Sequence, residues 1–257
     1  MELLVTVTFC LVFGSYINVL ICRLPGDMDL SGSRSICPQC KTVLYPLDLI
    51  PVFSWIFLGG KCRYCKSKIS IQYPLVELIS SIMGVVAYKA HGLSFEALLH
   101  YLFMSMCLII ALTDLRTQII PDRITIPAIV GFFAVSSFRT NSAPQPFALS
   151  LIAEPWVNLL INSLMGIIAC GGFLWLLAEL SGGKMGGGDI KFMAAVGAYM
   201  GWYTAMMVLL LGSIFGIIVT YTLIMLGKAK KGQLIPFGPY LAAAGIILSN
   251  FPLYRFF

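Results

Sequence analysis

Residues 192–226 form a run of 35 residues without a charged side chain. A single helix of that length would be ~52 Å long at about 1.5 Å per residue. A hydrocarbon core of about 30 Å cannot hold it. Two shorter helices with a break near Gly201 fit better. They return the chain to the side it left, so that Lys191 before the run and Lys228, Lys230 and Lys231 after it share one face of a membrane. Six more apolar stretches have suitable length: 3–22, 74–90, 95–111, 124–138, 156–180 and 238–254. Strand-sized alternating segments are absent, which argues against a β-barrel. The fold expected is an all-α polytopic membrane protein of about eight transmembrane helices, with a small cytoplasmic loop domain after the first.

Charge supplies the orientation. Only 11% of the chain is Asp, Glu, Lys or Arg, against about 25% in an ordinary soluble domain. That deficit excludes a disordered chain, a coiled coil and a water-soluble enzyme. If the N-terminus is outside, segments 23–72, 115–123, 181–191 and 227–236 face the cytoplasm. They hold fourteen of the 17 basic residues; Lys89, Arg139 and Arg255 are the rest. The net charge of +6 therefore reads as loops enriched in Lys and Arg on the inner side of a lipid bilayer. No nucleic-acid partner is expected. The first 22 residues carry only Glu2 as a charge, unlike the basic start of a signal peptide, and read as a retained helix.

Four of the eight cysteines stand as Cys37-Pro-Gln-Cys40 and Cys62-Arg-Tyr-Cys65, with 21 residues between the pairs. Two such knuckles at this spacing form a zinc-ribbon pattern, in which four thiolates close a tetrahedral shell. A structural zinc would stand in for the core that so short a segment cannot build. Two disulfides, or redox-active pairs, are the competing readings, and a cytoplasmic location disfavours the former. Cys10, Cys22, Cys107 and Cys170 fall within apolar stretches and read as small apolar fillers.

Carboxylates at membrane boundaries are functional candidates by default. Asp114 ends the third stretch, followed by Ile120-Pro121-Asp122. Asp189 opens the sixth, in Met185-Gly186-Gly187-Gly188-Asp189-Ile190-Lys191. The topology puts both on the cytoplasmic edge. Each also has a plainer reading: Asp189 as a helix N-cap, Asp114 as a boundary charge paired with Arg116. Glycines before Asp189 would let backbone approach closely or take positive φ. Taken together, two aspartates in one site can share a proton, one acting as base and the other as acid. Such a pair could drive water onto a peptide carbonyl. The two histidines, His91 and His100, fall on the far side, and no His-Glu-x-x-His motif occurs.

Beside these motifs stand Gly14-Ser15-Tyr16-Ile17-Asn18-Val19 through Arg23-Leu24-Pro25, Tyr73-Pro74-Leu75-Val76-Glu77, and Pro236-Phe237-Gly238-Pro239. In this order, and across nearly the whole chain, the blocks resemble type IV prepilin peptidases. Tyr16 where Phe is usual and Gln72 where Arg is common are departures that do not touch the aspartates. The resemblance implies a membrane aspartic endopeptidase of the bacterial inner membrane, with Asp114 and Asp189 as its catalytic pair. Gly186, Gly188 and Lys191 would support the active-site loop. Its substrates would be prepilins or pseudopilins, which lose a short basic leader. Members with the four-cysteine loop also N-methylate the new N-terminus from S-adenosylmethionine. For that second reaction Glu77 is a candidate, with a boundary residue paired to Lys or Arg as the plainer alternative.

The expected organisation is a first transmembrane helix over 1–22, a cytoplasmic four-cysteine domain over 23–72 and a membrane peptidase core over 73–257. Two other classes compete. A membrane thiol–disulfide oxidoreductase would use the cysteines and leave the aspartates idle. A cation- or proton-coupled transporter would use the aspartates and leave the cysteine loop unexplained.

Overall fold

The structure, a computed structural model, describes residues 1–26, 34–139, 154–182, 186–228, 230 and 235–251. Among these it is helical, with two isolated β-bridges and no strand. Four helices are long and apolar enough to cross a bilayer: Glu2–Gly26, Phe95–Thr117, Trp156–Leu180 and Trp202–Met225. The chain divides into two compact units, Met1–Ser105 and Met106–Phe257.

The first unit holds α1 (Glu2–Arg23), the short α2 (Phe53–Phe57), α3 (Gln72–His91) and the start of α4 (Phe95–Thr117). Missing side chains let α1 and α3 pack antiparallel at close range. A Cβ on Gly14 would lie 2.8 Å from Glu77 Cα, and one on Gly84 would lie 2.2 Å from Cys10 Sγ. Between those points the Ser80 hydroxyl donates to the Cys10 carbonyl at 2.8 Å and meets the Tyr101 hydroxyl at 2.7 Å. Between α1 and α3, the two cysteine knuckles are small hairpins of one design. Cys37 N–H donates to Thr42 and Lys41 N–H to Cys37; Cys62 N–H donates to Ser67 and Lys66 N–H to Cys62. Lys41 and Lys66 sit at the same point of each knuckle, with φ of 59° and 60°.

The second unit continues from α4 through α5 (Asp122–Val135), α6 (Pro155–Gly166), a π-helical turn at Ile167–Gly171, α7 (Gly172–Leu180), α8 (Gly187–Met200), α9 (Trp202–Met225) and α10 (Gly238–Asn250). Its centre is α8, buried at every residue from Phe192 to Tyr199 and packed against α5, α6, α7, α9 and α10. Close approach again depends on glycine. A Cβ on Gly166 or Gly197 would fall 2.2 Å from the other residue's carbonyl oxygen. Ser163 Oγ donates to the Ala198 carbonyl beside that crossing, at 2.8 Å. At the far end of α8 the Arg139 side chain donates to the Tyr199 carbonyl and lies 4.4 Å from the Tyr199 ring. A cation there meets the negative end of the helix dipole.

The 35-residue apolar run does break at Gly201, which has φ +77° and separates α8 from α9. Other expectations shift. The third apolar stretch continues as helix to Thr117, so Asp114 lies inside the last turn of α4. The fifth contains a π-turn that hydropathy does not register. Helices α5, α8 and α10 have 14, 14 and 13 residues. That makes them roughly 20 Å long, a length more typical of helices buried in protein than of simple spans. The segment between the fourth and fifth apolar stretches falls largely outside the described residues, as do Met185, Lys231 and Arg255.

Glycine packing gives a stability test. Gly197→Ala puts a methyl into the α6–α8 crossing, and overpacking of this kind costs about 1–3 kcal/mol. Gly131→Ala on α5 enters open space and gains helix propensity. The thermal midpoint of detergent-purified protein is expected to fall for the first variant and to hold or rise for the second.

Candidate functional site

Asp114 is buried near the C-terminal end of α4, with 5% of its surface exposed. Its Oδ2 accepts the Gly238 N–H at 2.9 Å. Gly238 is the first residue of α10 and is followed by Pro239, so this N–H belongs to the helix end that has no intrahelical acceptor. A Cβ on Gly238 would stand 2.8 Å from that same Oδ2. Glycine is required there by proximity to the carboxylate. The Pro236–Pro239 block carried resemblance only, and its signal was a Gly-Pro pair at a helix start. Asp114 and Arg116, two apart on one helix, point to different sides.

Asp189 is the third residue of α8, whose N-cap is Gly186. It is therefore not the cap, and the plainer reading of this residue fails. It is half-buried, and Asp114 is close enough for its charge to act on it. The structure thus brings together the two aspartates singled out from sequence. Of the two properties expected of the glycines before Asp189, close approach is seen and positive φ is not. Gly186 has φ −68°, and neither Gly187 nor Gly188 has positive φ. What matters is space: a Cβ on Gly188 would lie 2.7 Å from Ile120 Cβ. Lys191 Nζ pairs with Asp122 Oδ2 at 2.7 Å, a partner that hydropathy and motif spacing did not suggest.

The four motif cysteines also converge. Their sulfurs all lie within 4.8 Å of one another, and Cys37 and Cys65 are 3.8 Å apart. A tetrahedral zinc with bonds of about 2.3 Å has sulfur–sulfur edges of about 3.8 Å. The cluster can hold a metal ion. The Cys40 N–H, against the opposing effect of burial and with help from the Gln39 N–H and neighbouring thiols, draws Cys37 down to about 6. The Ser67 hydroxyl and N–H likewise lower Cys65. Cys62 moves up: the N–H groups of Cys65 and Tyr64 favour its thiolate, but burial and the Cys37 and Cys65 sulfurs outweigh them. Four thiols crowded this closely suit a divalent cation. Asp48 braces the second knuckle, accepting from Arg63 at 2.6 Å and Tyr64 at 3.1 Å.

Glu77, the remaining candidate, is buried on α3. Its carboxylate accepts the Val52 N–H at 2.7 Å and the Ser15 hydroxyl. It is tied to backbone and a hydroxyl, where a Lys or Arg was the plain expectation. Val52 itself has φ +62°, a strained conformation for a β-branched residue. One turn from Ser15, Asn18 donates to the Tyr73 carbonyl at 3.1 Å. Its buried Oδ1 has no hydrogen-bond partner among the described residues.

With the geometry in place, similarity to known proteins is informative. Residues 8–91 match the bacterial peptidase A24 N-terminal domain, and residues 101–221 match the type IV leader peptidase family. A prepilin leader peptidase/N-methyltransferase of Aeromonas salmonicida is 32% identical, across 93% of this chain and 87% of the relative. The Bacillus subtilis protein of the same name is also 32% identical, across 93% and 90%. That of Pseudomonas aeruginosa is 31% identical, across 95% and 88%. No solved structure matches. Two family models in tandem and relatives aligned over most of both chains lead to one conclusion: the chain belongs to the type IV leader peptidase family.

Proposed function

We propose that this chain is a membrane aspartic endopeptidase that removes the leader of prepilin-type substrates, and that it N-methylates the new N-terminus. The observation that carries the first activity is the convergence of Asp114 and Asp189 at one helix-end site in a protein of this family. One carboxyl group holds a proton while the other takes one from water; the water oxygen attacks the scissile carbonyl, and the acid protonates the leaving nitrogen. The Gly238 N–H holds one oxygen of Asp114, which fixes that carboxylate's orientation without a second charged residue. Gly188 seats the start of α8 against Ile120, while a Cβ on Gly186 would have only Asp189 Oδ2 within 4 Å among the described residues, which leaves that side of the carboxylate a suitable place for an extended peptide.

The orientation we assign has the N-terminus outside, fourteen basic residues inside and both aspartates at the cytoplasmic face of the inner membrane. In this arrangement α3, α5, α8 and α10 complete eight passes alongside the four longer helices. The organisation that goes with it is a first helix over 1–22, a cytoplasmic domain over 23–72 and a peptidase core over 73–257.

The four-cysteine cluster would hold a structural zinc through Cys37, Cys40, Cys62 and Cys65. All four positions are filled by protein, so the ion would organise the loop and take no part in cleavage. For methylation, S-adenosylmethionine supplies the methyl group. Glu77 and Asn18 Oδ1 are the acceptors we assign to its positively charged end, since one is a buried carboxylate and the other a buried acceptor with no partner among the described residues. A thiol oxidoreductase would leave Asp114 and Asp189 idle, and a transporter would leave the cluster without purpose.

Three outcomes are expected. Asp114→Asn and Asp189→Asn should each abolish leader removal from a purified prepilin in detergent while still inserting in the membrane; retained cleavage by either variant would falsify the assignment. Zinc should co-purify at close to one ion per chain and be lost in Cys62→Ser, with elemental analysis as the measure. Glu77→Gln should lose methyl incorporation from labelled S-adenosylmethionine yet keep leader removal, and equal loss of both would point to a structural role.

A further inference from the structure

Lys191 stands two residues after Asp189 in the glycine motif, and cleavage as described gives it no task. Its ammonium group reaches across 69 residues of sequence to the carboxylate of Asp122, at 2.7 Å. Asp122 is the first residue of α5 and Lys191 lies early in α8. The two helices pack against each other.

The pair is poorly suited to a stabilising role. The side chains are 42% and 53% exposed, and exposed ion pairs contribute little to stability. A lysine near a helix N-terminus also opposes the helix dipole, whereas an aspartate at the start of α5 is favoured by it. Lys191 therefore occupies an end of α8 where helix electrostatics disfavour a cation, and the structure matches it to an anion on another element.

Direction matters more than strength. Residues two apart on a helix do not face each other, so Asp189 and Lys191 leave α8 on different sides. Lys191 is thus turned away from the Asp189 carboxylate while gripping the start of α5. On the other partner, Asp122 lies eight residues past Asp114, on the segment leading out of α4. Gly188 lies against Ile120 in that same segment. Residues 120–122 and 188–191 are therefore joined twice, by one close packing contact and one ion pair. Asp114 is anchored separately, by the Gly238 N–H at the start of α10.

We infer that the Asp122–Lys191 ion pair is a positioning device that sets the rotation and depth of the first turns of α8, and so the placement of Asp189 relative to Asp114. This rests on the peptidase reading above. Neither side chain touches the reacting atoms in this role. Without the pair, the start of α8 keeps the Ile120 contact and its packing on α5 but loses the ionic tie to residue 122, and Asp189 shifts while the fold survives.

The test is leader cleavage by wild type, Asp122→Asn, Lys191→Met, Lys191→Arg and the reversed pair Asp122→Lys/Lys191→Asp, with kcat and KM separated and thermal midpoints recorded in detergent. A displacement of about 1 Å at a reacting group can cost on the order of 100-fold. Each neutralising variant is accordingly expected to lose on the order of 10- to 100-fold in kcat, with KM and midpoint little changed. Lys191→Arg should keep wild-type kcat, and the reversed pair should recover most of the loss. The inference is overturned if the single variants turn over normally, if Lys191→Met raises KM with kcat intact (which would mean contact with substrate), or if Lys191→Arg is as slow as Lys191→Met. It is overturned equally if the reversed pair stays as slow as the worse single variant, or if the single variants unfold. A wild-type chain that fails to cleave would defeat the peptidase reading itself, and this inference with it.

Discussion

The second unit depends on how closely other backbones can approach α8. Where Gly166 meets Gly197, each residue's missing Cβ leaves room for the other's carbonyl oxygen. Any side chain there would push α6 and α8 apart. Lipid-like surroundings give packed helices little hydrophobic reason to associate, so close van der Waals contact and short interhelical hydrogen bonds must hold them. The Ser163 hydroxyl on the Ala198 carbonyl supplies one such bond. A central helix held this way along its buried part is what carries Asp189 in its first turn.

The same logic explains why the aspartates lie at helix ends. A carboxylate inside an apolar bundle needs donors, and helix interiors have none to spare. Helix N-termini have several. Asp114 takes the Gly238 N–H of α10, while Asp189 rides on the glycine-rich start of α8. The chain thus obtains a polar site within a nearly chargeless sequence from the ends of its own helices. A single glycine at each makes those ends approachable: Gly188 beside Ile120, Gly238 beside Asp114.

The first unit solves a different problem. Its cysteine loop is too short for a hydrophobic core, and two near-identical knuckles gather four sulfurs within 4.8 Å instead. The loop is tied to the helices through the Val52 N–H on Glu77. That tie holds Val52 in a backbone conformation that valine rarely adopts, which marks the contact as one the surrounding structure enforces.

Much of this was legible without coordinates. Charge scarcity and apolar run length established helices in a membrane. Cysteine spacing announced a four-thiol cluster, the 35-residue run required a break near Gly201, and the motifs named Asp114 and Asp189. These are local or periodic properties, carried by neighbours in sequence. The tertiary structure decided what depends on partners far along the chain: Gly238 on Asp114 across 124 residues, Lys191 on Asp122 across 69, Val52 and Ser15 on Glu77. It also decided that α8 is short and enclosed by protein, where its sequence reads like a span facing lipid. Hydropathy reports only that a side chain avoids water. Whether lipid or another helix provides the shelter is a property of packing, and a single sequence does not encode it locally.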